Sequence, residues 1–378
     1  MVFNHFSNSR LHVREICTEA DFLHLREPWG RLVASVGGTV FQHHEWLTAA
    51  WAWCRQTAQT PWIICVFDND RLVGALPLLR PTASTGDGRQ LTFMCIPDTQ
   101  WCDVLLCPNA SPAVSRLLAK RLVETASSWD VLRLEKLPEE AAVSGWLALA
   151  LGAFGVAVHL EAVDCNLSVD LEAPWPAYCN RLSRSLKKSR NLAANRLERA
   201  GAVQVEWVTA ETLARDGLQP LLDEAVSISA HSWKRDTGKT LERPAPQAFI
   251  RALTDVAFAK RWLSIWFLRI DGRPVAMEYQ LMADGLVYAL RADFDERFAH
   301  LSPGTYLNFH MLERMFAEQG LRRYSMGPGA NPYKNRWSHG SDTVYTLTGF
   351  APTVRGRAGN LWFEIKPKLK NWKNRFTS

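Results

Sequence analysis

Apolar and polar positions run twice through the same order along the chain. Residues 66–74 read VFDNDRLVG and residues 268–276 read LRIDGRPVA: an apolar run, an Asn-Asp or Asp-Gly turn, then Arg, one residue, and Val followed by a small residue. Alternation broken by such a turn predicts a β-hairpin. In the first half the hairpin is followed by strands near QLTFMCI and WCDVLLC, a helix over Ser111 to Ser127 and a strand DVLRLEKL. In the second it is followed by a strand GLVYALRAD, a helix from Pro303 to Gln319 and a strand RRYSMG. A repeated order of elements is the mark of duplicated domains. At 378 residues the chain also exceeds what one hydrophobic core usually serves. The pattern predicts an α/β (α+β) protein of two related domains, 1–165 and 166–378, each a mixed, mostly antiparallel sheet flanked by helices.

Two helices stand out by what they carry. The helix of the second half opens on Ser302-Pro303-Gly304-Thr305. Ser302 suits an N-cap and Pro303 the first turn, but a glycine there costs about 1 kcal/mol relative to alanine. A bare helix N-terminus is an anion site, so Gly304 marks either a close approach by phosphate or an incidental choice in a capped helix. In the first half Ser111-Pro112 repeats the start, but Ala113 replaces the glycine. Over 181–200, Leu182, Leu186, Ala193 and Leu197 form an apolar stripe while seven cations, Arg181 to Arg199, face only Glu198. The imbalance is a solvated surface or a contact for an anion.

Composition changes this picture little: 47% hydrophobic and 22% charged residues, a net charge of +6 and 16 Trp describe a globular, mildly basic protein with aromatic-walled cores or clefts. The eight cysteines lack CxxC or metal-ligand spacing and read as reduced residues of a cytoplasmic protein without a metal site. The N-terminal residues lack the apolar stretch of a signal peptide, and the longest apolar run, Trp146 to Leu160, is too short for a membrane span.

Candidate chemistry lies in the second half. Period-two alternation in VAMEYQLM puts Glu278 and Gln280 on one face of a central strand, where a carboxylate is either paired at an edge or pushed into the range of a general base. The next strand places Arg291 and Asp293 together, and hairpin pairing would bring Arg291 to Glu278. HSWKRDTG offers His231 as a base, Trp233 as a pocket wall and Lys234 as an anion ligand. YKNRW, expected in a loop after Gly-Pro-Gly, concentrates Tyr333, Lys334, Arg336 and Trp337, a group suited to a phosphate or an anionic sugar stacked on a ring.

Taken in order, RLSRSLKKSRNLAANRLERAG, HSWKRDTG, IDGRPVAMEYQL, SPGTYL and GPGANPYKNRW resemble the CelD-type acyltransferases, tandem GNAT-fold proteins related to the FemAB-type peptidoglycan transferases. The resemblance is specific over about 180–340. The usual GNAT pyrophosphate loop, a Gln or Arg followed by several glycines, is here a single glycine. What the resemblance implies is two GNAT-like domains, the first degenerate, and transfer of an acyl group from acyl-CoA (acetyl-CoA) to a small-molecule or glycan acceptor, with peripheral contact to envelope machinery. Glu278, Arg291 and Asp293 would then be catalytic; Ser302, Gly304, Thr305, Lys334 and Arg336 would hold the co-substrate; His231, Trp233, Lys234, Tyr333 and Trp337 would line the acceptor site. Two other readings stay open: an aminoacyl-tRNA donor contacted by the basic helix, and a non-catalytic module binding an anionic partner.

Overall fold

The computed structural model describes residues 11–57, 59–80 and 89–376; residues 1–10, read above as lacking a leader, lie outside them. The chain divides into two compact units. The first comprises 1–96, 101–163 and 344–378, and the second 97–100 and 164–343. The sequence pattern places the tail in the second domain. The tail instead completes the first unit, because the strand Gly340–Phe350 pairs antiparallel with Val131–Leu137 from Tyr345 onward.

In the first unit the elements run β1 (Leu11–Ile16), α1 (Glu19–Leu23), α2 (Arg26–Val36), α3 (His44–Thr57), β2 (Thr60–Asp68), β3 (Arg71–Arg80), β4 (Gln90–Phe93), β5 (Leu105–Leu106), α4 (Ser111–Glu124), β6 (Val131–Leu137), α5 (Ala148–Ala153) and β7 (Ala157–Asp170). The strands β1-β2-β3-β4-β6 lie in that order, antiparallel except for β4 and β6, which α4 connects in parallel. The expected cap at Ser111 is absent: this residue lies inside the helix and its hydroxyl donates back to the Cys107 carbonyl at 3.0 Å.

The second unit takes β7 from Asp164 and continues with α6 (Trp175–Arg181), α7 (Arg184–Ala200), β8 (Val203–Thr209), α8 (Leu218–Ala230), α9 (Pro244–Ala259), β9 (Leu263–Ile270), β10 (Arg273–Ala283), β11 (Leu286–Phe294), α10 (Pro303–Ala317), β12 (Arg323–Pro328) and α11 (Pro332–Trp337). Then follow β13 (Gly340–Phe350) and α12 (Val354–Phe376), whose residues from Val344 belong to the first unit. The sheet order is β7-β12-β11-β10-β9-β8, antiparallel except for β11 and β12, which α10 joins in parallel. Asp271 and Gly272 turn the β9–β10 hairpin with φ of 49° and 78°, the paired left-handed geometry that Asp-Gly favours. Both halves thus share an antiparallel hairpin feeding a parallel strand–helix–strand crossover.

The two faces of this sheet carry different helices. Register pairs Glu278 with Trp266 and Ala292, and their face lies beneath α10, whose Met311 Sδ accepts from Gln280 Nε2 at 3.0 Å. Met277, Tyr279, Arg291 and Asp293 point the other way, where Thr254 of α9 meets the Tyr279 hydroxyl at 3.2 Å and Ser229 of α8 meets Asp293 at 2.9 Å. The basic segment is broken by geometry: Leu182 ends α6 and Ser183 caps α7 by accepting the Leu186 N–H at 3.2 Å. The α7 stripe Leu186, Ala193 and Leu197 is buried as periodicity requires. YKNRW, expected as loop, is helical, because Asn331 accepts the Lys334 N–H at 2.9 Å and Pro332 preorganises the first turn.

Candidate active site

A break in strand pairing creates the site. β11 and β12 pair only over Leu286↔Arg323, Val287↔Tyr324 and Tyr288↔Ser325. At that point Gln100 enters as a wedge: its Nε2 donates to the Ala289 carbonyl at 2.8 Å, and its Oε1 accepts from Ser325 Oγ at 2.7 Å. One residue later the β10–β11 register shifts, with Tyr279 opposite Arg291 but Gln280 opposite Ala289, so Leu290 is the extra residue of a bulge. Beyond it the parallel strands diverge, and a cleft of about 760 Å³ opens between their C-terminal ends and the start of α10.

Glu278 lies at the base of this cleft, 3% exposed. Its Oε1 accepts from the Tyr324 hydroxyl at 2.5 Å and from Gln280 Nε2 at 2.8 Å. Gln280 is itself fixed, its Oε1 taking Ser264 Oγ at 3.1 Å and Trp266 Nε1 at 3.2 Å. Burial raises the Glu278 carboxyl above the ordinary carboxylate value; the two hydrogen bonds and the charge of Lys234 pull it part of the way back. Oε2 has no donor among the described residues. The arrangement is a rigidly held carboxylate with one oxygen committed to the protein and the other left for a ligand proton.

Arg291 does not meet Glu278. Direct pairing of Glu278 with Ala292 puts Arg291 on the opposite face, where it donates to Asp98 Oδ2 at 2.9 Å and to the Lys239 carbonyl at 2.8 Å. Asp293, on that same face, accepts from Ser229 and forms an ion pair with Lys234 Nζ at 2.6 Å. Lys234 also donates to the Ala292 carbonyl at 2.9 Å, so it bridges the diverging edge of β11. Arg291 and Asp293 line the cleft but are occupied in holding the loops around it.

At the start of α10 the expected cap is missing. A 3₁₀ turn, Glu296–Leu301, runs directly into the helix, and Ser302 joins them in the left-handed region at φ 58° with no capping bond from its side chain. Its carbonyl accepts the N–H groups of Thr305 at 3.1 Å and Tyr306 at 3.4 Å. Thr305 therefore lacks the free N–H assigned to it, and since Pro303 has none, Gly304 supplies the first-turn N–H without a partner among the described residues. A Cβ on Gly304 would meet only Phe294 Cδ1, at 3.6 Å, an ordinary contact. Packing inside the protein does not demand this glycine. Alongside, the Arg190 guanidinium of α7 lies 4.4 Å from the Phe309 ring centroid and Arg196 donates to the His300 carbonyl at 3.0 Å, which sets the basic helix against this end of α10.

The remaining expected residues divide. Trp233 and Tyr333 line the cleft with 53% and 38% of their surface exposed. The Tyr333 phenol is pushed up by burial and then by the charge of Glu278. Lys334 lines the cleft too, but its Nζ donates to the Gly327 and Pro328 carbonyls at 2.8 and 2.9 Å, and burial lowers its pKa. It caps the end of β12 rather than awaiting a phosphate. His231 and Arg336 lie outside the cleft lining, the former with Nδ1 on the Ser227 carbonyl at 2.8 Å. Trp337, 1% exposed, is a core residue and no stacking platform.

Tyr324, Asn308, Asp98 and Gln100 are not among the residues expected from the sequence. A tyrosine on a central strand must find a partner for its hydroxyl, and an asparagine one turn after Gly304 interrupts the apolar face of α10, so both carried a legible signal. Asp98 and Gln100 carried none, because they reach Arg291 and Ala289 across 193 and 189 residues of sequence.

Comparison with known proteins bears on the fold. A family model described as an acetyltransferase (GNAT) domain matches residues 184–335. No curated protein matches the chain significantly. Among solved structures, FemX is similar at 12% identity over 89% of this chain and 97% of that one, with a TM-score of 0.55. A tandem GNAT protein from the clavulanic acid biosynthesis pathway is 12% identical over 90% and 100% (TM-score 0.52). L-PGS from Bacillus licheniformis is 14% identical over 94% and 98% (TM-score 0.52). The fold is a GNAT-like α/β fold in two domains.

Proposed function

We propose that the chain is an acyltransferase that moves an acyl group from acyl-CoA to an amine or hydroxyl, with Glu278 as general base. The observation that carries this reading is the buried Glu278 at the floor of a cleft formed where β11 and β12 part. The fit of the co-substrate rests on the same cleft: beyond Tyr288 the edge of β11 pairs with no strand among the described residues and can border an extended chain, Gln100 and Lys234 already holding its Ala289 and Ala292 carbonyls, and the Gly304 N–H with its bare Cα offers an anion site beside α7. Bound acyl-CoA supplies an activated thioester carbonyl. Glu278 Oε2 takes the proton of the incoming amine or hydroxyl, while Tyr324 and Gln280 keep Oε1 fixed. The departing thiolate takes its proton from solvent, and Tyr333 contributes a wall of the cleft. Positioning and electrostatic stabilisation carry most of the rate, so no covalent intermediate on the protein is needed.

The resemblance to CelD-type acyltransferases supports a sugar or envelope-related acceptor. The exposed cations of α7 beside α10 support a second reading in which aminoacyl-tRNA is the donor. Thiol release from an acyl-CoA panel separates the two. Acetyl-CoA is expected to raise the melting temperature and release thiol, and Glu278→Gln to lower kcat by about 10²- to 10⁴-fold with little change in CoA affinity. Failure of every acyl-CoA to bind, with a salt-dependent gel shift on charged tRNA, would transfer the assignment to the second donor.

A further inference from the structure

Asn308 is 1% exposed and lines the cleft, yet neither Nδ2 nor Oδ1 of its carboxamide has a hydrogen-bond partner among the described residues. An amide buried without partners is costly, and such a group in a folded protein awaits an explanation. Its surroundings within the helix give none. Leu307, Met311 and Leu312 of α10 are core residues, so an apolar side chain would satisfy position 308 equally well.

Register fixes where the amide sits. Gly304 lies against Phe294, which pairs with Ala276 of β10, and Met311 lies against Gln280. Asn308 falls between them, one helical turn or about 6 Å beyond Gly304. Glu278 falls between Ala276 and Gln280, about 6.6 Å along the strand from each. The two advances match, so the carboxamide is level with the Glu278 carboxylate and on the face of the sheet that Glu278 occupies. Both residues line the cleft, so a ligand whose proton reaches Glu278 Oε2 comes within reach of Asn308.

A carboxamide offers a donor and an acceptor side by side, and its best partner is a group that offers the reverse pair. We propose that Asn308 is an acceptor-binding, specificity-determining residue that reads a hydroxyl or amide adjacent to the nucleophile, so that the acceptors are vicinal amino alcohols or diols rather than isolated amines. Two further features suit such a ligand: the exposed rings of Trp233 and Tyr333 line the same cleft and present flat apolar surface with a polar edge. The proposal rests on the reading of Glu278 as the base, and it adds the chemistry that the acceptor must carry next to its reacting group.

The test reads binding first and turnover separately. The full-length protein and Asn308→Leu are titrated with D-glucosamine, an amine flanked by hydroxyls, and with cyclohexylamine, an isolated amine of similar size. The wild type is expected to prefer glucosamine, and Asn308→Leu to lose about tenfold in glucosamine affinity with cyclohexylamine unchanged. Because no group among the described residues uses the amide, Asn308→Leu is also expected to melt no lower than the wild type. Asn308→Asp, which keeps the shape but removes the Nδ2 donor, is expected to lose glucosamine affinity as well. Equal affinity of wild type and both variants for glucosamine, no binding of either amine by the wild type, or a marked fall in melting temperature on Asn308→Leu would each overturn the proposal. Glucosamine bound through Asn308 without thiol release sinks the transfer reading alone, whereas thiol release that Asn308→Leu leaves selective and intact sinks this one alone.

Discussion

Under the proposed chemistry, Glu278 sets both stability and rate. Burial raises its folded value above the 4.5 of an ordinary glutamate, so between the two values the native state holds a proton that the unfolded chain has released. Its contribution is therefore fully present below the unfolded value and lost as pH rises through the folded one. Glu278→Gln has no such titration, so its stability relative to wild type is expected to improve from pH 4 to pH 8 in urea unfolding at the two values. Activity runs the other way, rising with pH through the same raised value as the base is freed. A Glu278→Gln chain whose relative stability is flat across that range would show that the carboxyl titrates as if in water. Glu278 was legible because strand alternation fixes a face. Its supposed partner Arg291 was not, because which residue lies opposite depends on register, and a shift of one position moves the side chain to the other face.

The N-terminus of α10 is where local rules and the element disagree. Ser302 followed by Pro303 reads as a cap, yet helical turns begin six residues earlier at Glu296, where Asp295 accepts the Arg297 N–H at 3.0 Å. Ser302 is left as the joint between two helices and adopts a left-handed conformation that costs a non-glycine residue roughly 1 kcal/mol. A strained joint beside a first-turn glycine that packing does not require fits the proposed anion site, which would accept a local cost for function. Gly304→Ala separates the two demands. Alanine fits against Phe294 and favours the helix, so urea unfolding should show a gain of up to about 1 kcal/mol. Calorimetry with CoA should show affinity falling by at least several-fold, since the methyl stands over the N–H. Unchanged CoA affinity in a more stable protein would place the anion site elsewhere. No window of sequence could have revealed the joint, because it arises from the meeting of two helices rather than from either one.

At the scale of the molecule, the repeated order of hairpin, strand, helix and strand was legible because each piece is local, whereas the two excursions of the chain were not. Residues 97–100 join the second unit, and residues 344–378 return to the first, through contacts between positions far apart in sequence. The excursion at 97–100 has a measurable price in folding. Asp98 and Arg291 pair at 2.9 Å with side chains only 8% exposed each, and removing one partner of a buried ion pair costs about 3 to 5 kcal/mol because the other charge stays buried. Asp98→Asn is therefore expected to lower unfolding stability by roughly 3 kcal/mol, whereas Asp98→Leu combined with Arg291→Met, which removes both charges, should recover most of that loss. A fragment of residues 164–343 lacks both Asp98 and the Gln100 wedge, so it should be less stable than the same unit in the full chain by at least the Asp98→Asn deficit. If Asp98→Asn costs under about 1 kcal/mol, the pair is not what fixes Arg291, and the Lys239 carbonyl at 2.8 Å must suffice to hold it.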